Sequence, residues 1–207
     1  MVLQAIRYTP SPTTSSEVST SSISIPPSLQ ILNQLDLPHN TSYISINSVS
    51  DAYNAIKSMA VRGAPAIAIV AALSVCVATH HSNLSPWPSS ASEMQKTIAE
   101  MLHELGRSRP TAVNLMDAVR KLETVVERSV QEGQREANGV REVYIKAAEK
   151  MLVDDVQDNE RIGQWGAKWI VERAGEKRVA VLTHCNTGYV FPLRQRVSTA
   201  DLDPELL

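Results

Sequence analysis

The run Met59-Ala60-Val61-Arg62-Gly63-Ala64-Pro65-Ala66-Ile67 sets an arginine, a glycine and a proline directly before a long apolar stretch. Pro65 suits the first helical position, where its missing N–H costs nothing, and Gly63 lets the backbone turn tightly and approach a ligand. Arg62 then stands at the positive end of the helix dipole, the unfavourable end for a cation. An anion held between the guanidinium and the free first-turn N–H groups resolves that conflict, and phosphate is the usual candidate. The same residues also allow an arginine tied to a nearby carboxylate. Ser108-Arg109-Pro110-Thr111-Ala112-Val113-Asn114-Leu115 repeats the logic, with Pro110 at an expected helix start. Two arginines before two helices can converge on one phosphate; alternatively, Arg109 merely closes a basic stretch from Arg107 on a solvated surface.

Cys185 is the candidate for chemistry. It lies in His184-Cys185-Asn186-Thr187-Gly188, at the carboxyl end of an expected strand, where open α/β sheets bind ligands and where a pocket can alter a thiol's pKa. His184 makes a poor partner for it, because successive side chains on a strand point to opposite faces. Cys76 falls within the apolar stretch and reads as a buried small hydrophobe. Two distant cysteines and five scattered histidines, including the surface-like pair His80-His81, show no metal-ligand spacing. His103 and the cluster Asp154-Asp155 and Asp158-Asn159 receive no catalytic role; the cluster reads as helix capping.

Several elements must position these groups. Leu3 to Tyr8 reads as a strand, as does Ser42 to Asn47, while Leu29 to Leu37 carries an apolar pattern. Residues 11–28, rich in Ser, Thr and Pro, read as a mobile insertion. Ser48 and Asp51 resemble a capping box that opens a helix through about Val61. The apolar helix is expected from Pro65 to about His80, in the centre of the core. Ser92 with Gln95 is expected to cap a helix through about Leu105. Further helices are expected from Pro110 to about Gly133, from Ala137 to Val153, and from Asn159 to about Arg173, ended by Gly175. Arg178 to His184 has the short apolar character of a parallel strand buried on both faces.

The 207 residues, 43% of them hydrophobic, suffice for a core in one or two domains. A formal charge of −2, from 20 basic and 22 acidic residues, argues against a general nucleic-acid or membrane-surface binder. The 4% aromatic content disfavours a base-stacking platform. No apolar stretch reaches spanning length, the N-terminus lacks a secretory layout, and the cysteines fit reduced intracellular thiols.

Four blocks carry a resemblance: Leu3 to Tyr8, Val61 to Ile67, Arg109 to Leu115, and Leu182 to Gly188. In this order they resemble the methylthioribose-1-phosphate isomerases, over nearly everything outside the Ser-rich insertion up to Gly188; the insertion suggests a fungal-type version. The resemblance implies an α/β protein with a largely helical N-terminal domain, a few short strands and the beginning of a Rossmann-like domain. The expected division is 1–155, then a linker helix and first strand over 156–188, then a tail of other origin over 189–207. It implies conversion of 5-methylthioribose 1-phosphate to 5-methylthioribulose 1-phosphate in methionine salvage, with no cofactor or metal, a sugar phosphate as partner and a homodimer. The expected location is the cytoplasm, with the nucleus as a second site. By carry-over, Arg62, Gly63, Ala64 and Arg109 bind substrate, chiefly its phosphate, and Cys185 is an active-site residue. The family's partner for the cysteine is a proton-donating aspartate.

Beyond Gly188 no Gly-rich turn follows, and Asp201 and Asp203 stand in an unrelated context. The chain is therefore expected to be a truncated member, from a shifted frame, a retained intron or alternative splicing, with negligible activity alone. Two other readings share the fold or the chemistry. One is a non-catalytic regulatory subunit of a translation-initiation guanine-nucleotide-exchange factor; the other is a ribose-1,5-bisphosphate isomerase.

Overall fold

A computed structural model describes residues 4–11, 25–80 and 83–174, and the chain divides into two units, Met1–Met151 and Leu152–Leu207. The elements are β1 (Ile6–Thr9), β2 (Ser28–Leu32), β3 (Tyr43–Ser45), α1 (Val49–Lys57), α2 (Ala64–Ala78), α3 (Ala91–Gly106), α4 (Val113–Gln131) and α5 (Ala137–Ala174). Among the described residues the fold is thus mostly helical with one small sheet.

In the first unit α2 is the hub. Every residue from Ile67 to Ala78 is buried, as a helix apolar on all faces requires. It packs on α1, α3, α4, β1 and β2, most extensively on α4. Ser74 Oγ donates to the Ala71 carbonyl within the helix at 2.8 Å, and Thr79 Oγ1, in the residue that ends it, donates to the Val75 carbonyl at 2.7 Å. The amphipathic helices α3 and α4 turn Met94, Ile98, Leu102 and Leu115, Val119, Leu122 inward. From α5, Tyr144 donates its hydroxyl to the Ala72 carbonyl at 3.0 Å.

The sheet is antiparallel in the order β1-β2-β3, with Ile31 opposite both Ile6 and Ile44. The central strand β2 occupies the start of the apolar pattern noted over Leu29 to Leu37. It begins at Ser28, inside the stretch read as an insertion. Residues 12–24 of that stretch lie outside the described residues.

Several boundaries differ from expectation. α1 stops at Lys57, because Met59 takes φ 64° and the chain turns away well before Val61. The cap of α3 is Ser90, whose hydroxyl accepts from the Glu93 N–H at 3.3 Å, so the Ser92 and Gln95 pairing is displaced by two residues. Pro110 lies in a turn, closed by Ala112 N–H donating to the Arg109 carbonyl at 2.9 Å, and α4 begins only at Val113. The two helices expected over 137–173 are one continuous α5. Asn159 Nδ2 there donates back to the Asp155 carbonyl at 2.8 Å, and Arg161 pairs with Asp158 one turn away. The polar cluster therefore decorates a helix side instead of ending one. Desolvation, then the neighbouring Asp158 charge, pushes the Asp155 carboxyl up.

The described part of the second unit is the helical segment 152–174, which exposes Val153, Val156, Ile162, Trp165, Trp169 and Val171. Lys168 lies over the Trp165 ring and Arg173 over the Trp169 ring. Among the described residues no helix is long and apolar enough to cross a membrane. The expected strand at Arg178 to His184, and the Rossmann-like beginning it represents, lie outside the described residues.

Candidate phosphate site

Arg62, Gly63 and Ala64 form the entry to α2. Gly63 is the residue before its first turn and holds φ 99° and ψ 129°, a conformation that L side chains rarely adopt. Pro65 is the second residue of α2, one position later in the helix than expected because the helix opens at Ala64, and it leaves the Ala64 and Ala66 N–H groups as first-turn donors. Ala64 and Pro65 are exposed while Ile67 onward is buried, so this helix end opens to solvent. Arg62 is half-buried, and its Nε donates to the Met59 carbonyl at 3.1 Å. Arg109, also half-buried, stands in the turn between α3 and α4, behind the buried Ser108, whose hydroxyl donates to the Leu105 carbonyl at 2.5 Å.

Helix capping separates these two entries from their neighbours. α1 is capped by the Ser48 hydroxyl, which accepts from the Asp51 N–H at 3.1 Å, and has Asp51 in its first turn. α3 is capped by Ser90 and has Glu93 in its first turn. The Ser89 backbone N–H and then its hydroxyl hold the Glu93 carboxyl below the usual range. α2 and α4 have neither a side-chain cap nor an acidic first-turn residue, and each follows an arginine. Among the described residues no carboxylate pairs with Arg62 or Arg109. Two helix ends thus present first-turn N–H donors with an arginine shortly before each.

Cys185 lies outside the described residues, with His184. Cys76 is fully buried in α2, its Sγ 3.7 Å from the Ala72 carbonyl, and burial followed by the Glu149 charge pushes its thiol up. His80 is buried at 4% exposure, which corrects its reading as a surface residue; it directly follows Thr79 at the packed end of α2. His103 pairs with Glu123 Oε1 at 2.6 Å on the outer side of α3 and α4. Among the described residues no three His, Cys, Asp or Glu side chains gather as a metal site. A shallow groove of about 550 Å3 beside β3 and α1, lined in part by Ile44, Asp51, Asn54 and Lys57, contains none of the expected site residues.

Sequence reasoning missed Gln34, which the structure places against the α2 entry. Its side-chain Nε2 donates to the Arg62 carbonyl at 3.4 Å. A glutamine within an apolar pattern was the available signal, shared with Gln30 in the same stretch.

The model of the Initiation factor 2 subunit family matches residues 60–200, a span that runs past Gly188. A methylthioribose-1-phosphate isomerase of Pyrenophora tritici-repentis is 48% identical over 191 residues, which is 91% of this chain and 44% of that protein. One from Talaromyces stipitatus is 51% identical over 164 residues, 77% of this chain and 43% of that protein. This chain therefore spans less than half the length of these relatives. Among solved structures, a 5-methylthioribose 1-phosphate isomerase from Pyrococcus horikoshii OT3 superposes with TM-score 0.60 at 28% identity, over 68% of this chain and 38% of that one. The translation initiation factor eIF-2B, subunit delta, from A. fulgidus gives TM-score 0.58 at 28% identity, over 68% and 39%.

Proposed function

Since this chain belongs to the Initiation factor 2 subunit family, we propose that it is part of an aldose–ketose isomerase acting on 5-methylthioribose 1-phosphate, the activity named for its aligned relatives. The observation that carries the site assignment is the pair of uncapped, acid-free helix entries at α2 and α4, each led by an arginine with no carboxylate partner among the described residues. In this reading Arg62 and Arg109 supply charge to the substrate phosphate, and the N–H groups at Gly63 and Ala64 supply directed donors.

The phosphate sits on the anomeric oxygen, so ordinary ring opening to a free aldehyde is blocked. Fixing that phosphate orients C1 and C2 for hydrogen transfer between them, which is the positional part of the rate enhancement. Cys185 is the residue we assign to the reacting carbons, with product 5-methylthioribulose 1-phosphate. In this reading the described helix entries hold the substrate phosphate in a chain that spans 44% of its Pyrenophora relative. We expect the whole isomerase to be a homodimer.

Calorimetric titration of 5-methylthioribose 1-phosphate into the chain tests the reading. Saturable binding that Arg62→Ala weakens is expected; equal binding by wild type and variant contradicts the site. The likeness to the delta subunit of a translation initiation factor supports a second reading, a non-catalytic exchange-factor subunit. Absence of sugar-phosphate binding, with association to other such subunits, would favour it.

A further inference from the structure

We propose that Gln34 is a positioning residue for the Arg62–Gly63 anion site, an inference that rests on the phosphate reading above. Gln34 is buried at 9% exposure, where an amide is costly unless it is hydrogen-bonded and where an aliphatic side chain would pack without that cost. It makes two bonds to the chain leading into α2. Its backbone N–H donates to the Ala60 carbonyl at 2.9 Å, and its side-chain amide donates to the Arg62 carbonyl.

The second bond acts on a specific peptide. The Arg62 carbonyl and the Gly63 N–H belong to one planar trans unit, so they point in opposite directions. A donor that draws the carbonyl toward buried Gln34 aims the Gly63 N–H away from it. The same bond polarises that N–H and strengthens it as a donor. On the other side of the loop, the left-handed Met59 presents its carbonyl to Arg62 Nε and so turns the guanidinium. The residues flanking Gln34 are bonded to one another. Asp36 Oδ2 accepts from Asn33 Nδ2 at 2.8 Å and from Ser42 Oγ at 2.5 Å, and the Asp36 carbonyl accepts from the Asn40 N–H at 3.0 Å. The connector between β2 and β3 is thus cross-linked through Asp36 on either side, and from it the buried Gln34 amide reaches the peptide at the mouth of α2.

The test uses the full 207-residue chain with Gln34→Met, which keeps the length and removes the donor, and Gln34→Glu, which keeps the shape and replaces the donor with an acceptor. Two readouts are taken: affinity for 5-methylthioribose 1-phosphate and amide hydrogen exchange. The Val61 N–H, bonded to Ala55, and the Ile67 N–H, bonded to Gly63, report the loop, while the Met94 N–H at the start of α3 is the control. Loss of one hydrogen bond predicts about fivefold weaker binding and about fivefold faster exchange at Val61 and Ile67. Met94 is expected to stay unchanged. Should Gln34→Met fail to fold, Gln34→Glu decides on the same readouts.

Wild-type affinity and exchange in the folded variants would overturn the proposal, as would exchange that rises equally at Met94. Binding lost in Arg62→Ala but kept in both Gln34 variants would overturn it while leaving the phosphate reading intact. Binding indifferent to Arg62→Ala sinks the phosphate reading instead, and local exchange then still decides whether Gln34 holds the loop.

Discussion

Arg141 Nε donates to the Thr79 carbonyl at 2.7 Å, which places a buried cation of α5 on the C-terminal end of α2. The arrangement suits the negative end of the helix dipole and satisfies a carbonyl that has no partner within the helix. Desolvation lowers the guanidinium's pKa, and Cys76, Glu142 and Tyr8 act against that shift. Arg141→Met is expected to lose about 2 kcal/mol of stability in urea unfolding, because the carbonyl is left buried and unbonded. Arg141→Lys should lose less, retaining charge without the planar fork.

Alkaline pH should weaken the first unit. Burial raises the Cys76 thiol far above its ordinary value, and Tyr8 and Tyr144 are raised as well, each chiefly by burial. Tyr8 also donates to Glu149 Oε1 at 2.9 Å, which favours its protonated form. Groups raised in the folded state keep their protons while the unfolded chain loses them. Their contribution is thus fully present below the unfolded thiol and phenol values and declines as pH rises above them, from about pH 9. Thermal melts from pH 7 to 11 should show this decline, and Cys76→Val should make it shallower. A Cys76→Val profile identical to wild type would contradict the assignment.

Gly63→Ala should reduce both stability and phosphate binding, since φ 99° strains any residue with a Cβ. A loss of about 1 kcal/mol in unfolding free energy is expected. Ser90→Ala, which removes the cap of α3, should lose a similar amount, about 1 kcal/mol, with no effect on binding. Titration of both variants separates the two helix entries by role.

α5 provides a test of continuity. Asp158→Pro would be tolerated at the first turn of a separate helix, but within α5 it removes a hydrogen bond and clashes with the preceding turn. A cost of about 3 kcal/mol in local helix stability is expected, read as lost ellipticity at 222 nm. Unchanged ellipticity would favour the two-helix pattern.

What the sequence made legible follows from how local each cause is. The α2 entry is written in adjacent residues: a glycine needed at positive φ, a proline in the first turn and an apolar run beyond. Ser48 with Asp51 is equally local, and its cap was readable. Pro110 looked like Pro65, yet the turn closed by Arg109 and Ala112 consumed those residues first. Asp154 to Asn159 has the composition of a cap, but without a glycine or proline nothing breaks the helical ladder there. β2 is a central strand only because β1 and β3 flank it, and Gln34 matters only because Ala60 and Arg62 come to it from a distant part of the chain. The arginines were found from their neighbours; that neither forms an ion pair among the described residues needed the fold.

The most direct test of the phosphate site is a double-mutant cycle on 5-methylthioribose 1-phosphate binding, with wild type, Arg62→Ala, Arg109→Ala and the double variant measured by calorimetry. If both guanidinium groups hold one phosphate, each single change weakens binding about tenfold or more, and the combined loss departs from the sum of the two by about 0.5 kcal/mol or more. Independent, additive losses, or a wild-type chain that binds no better than the double variant, would contradict a shared phosphate.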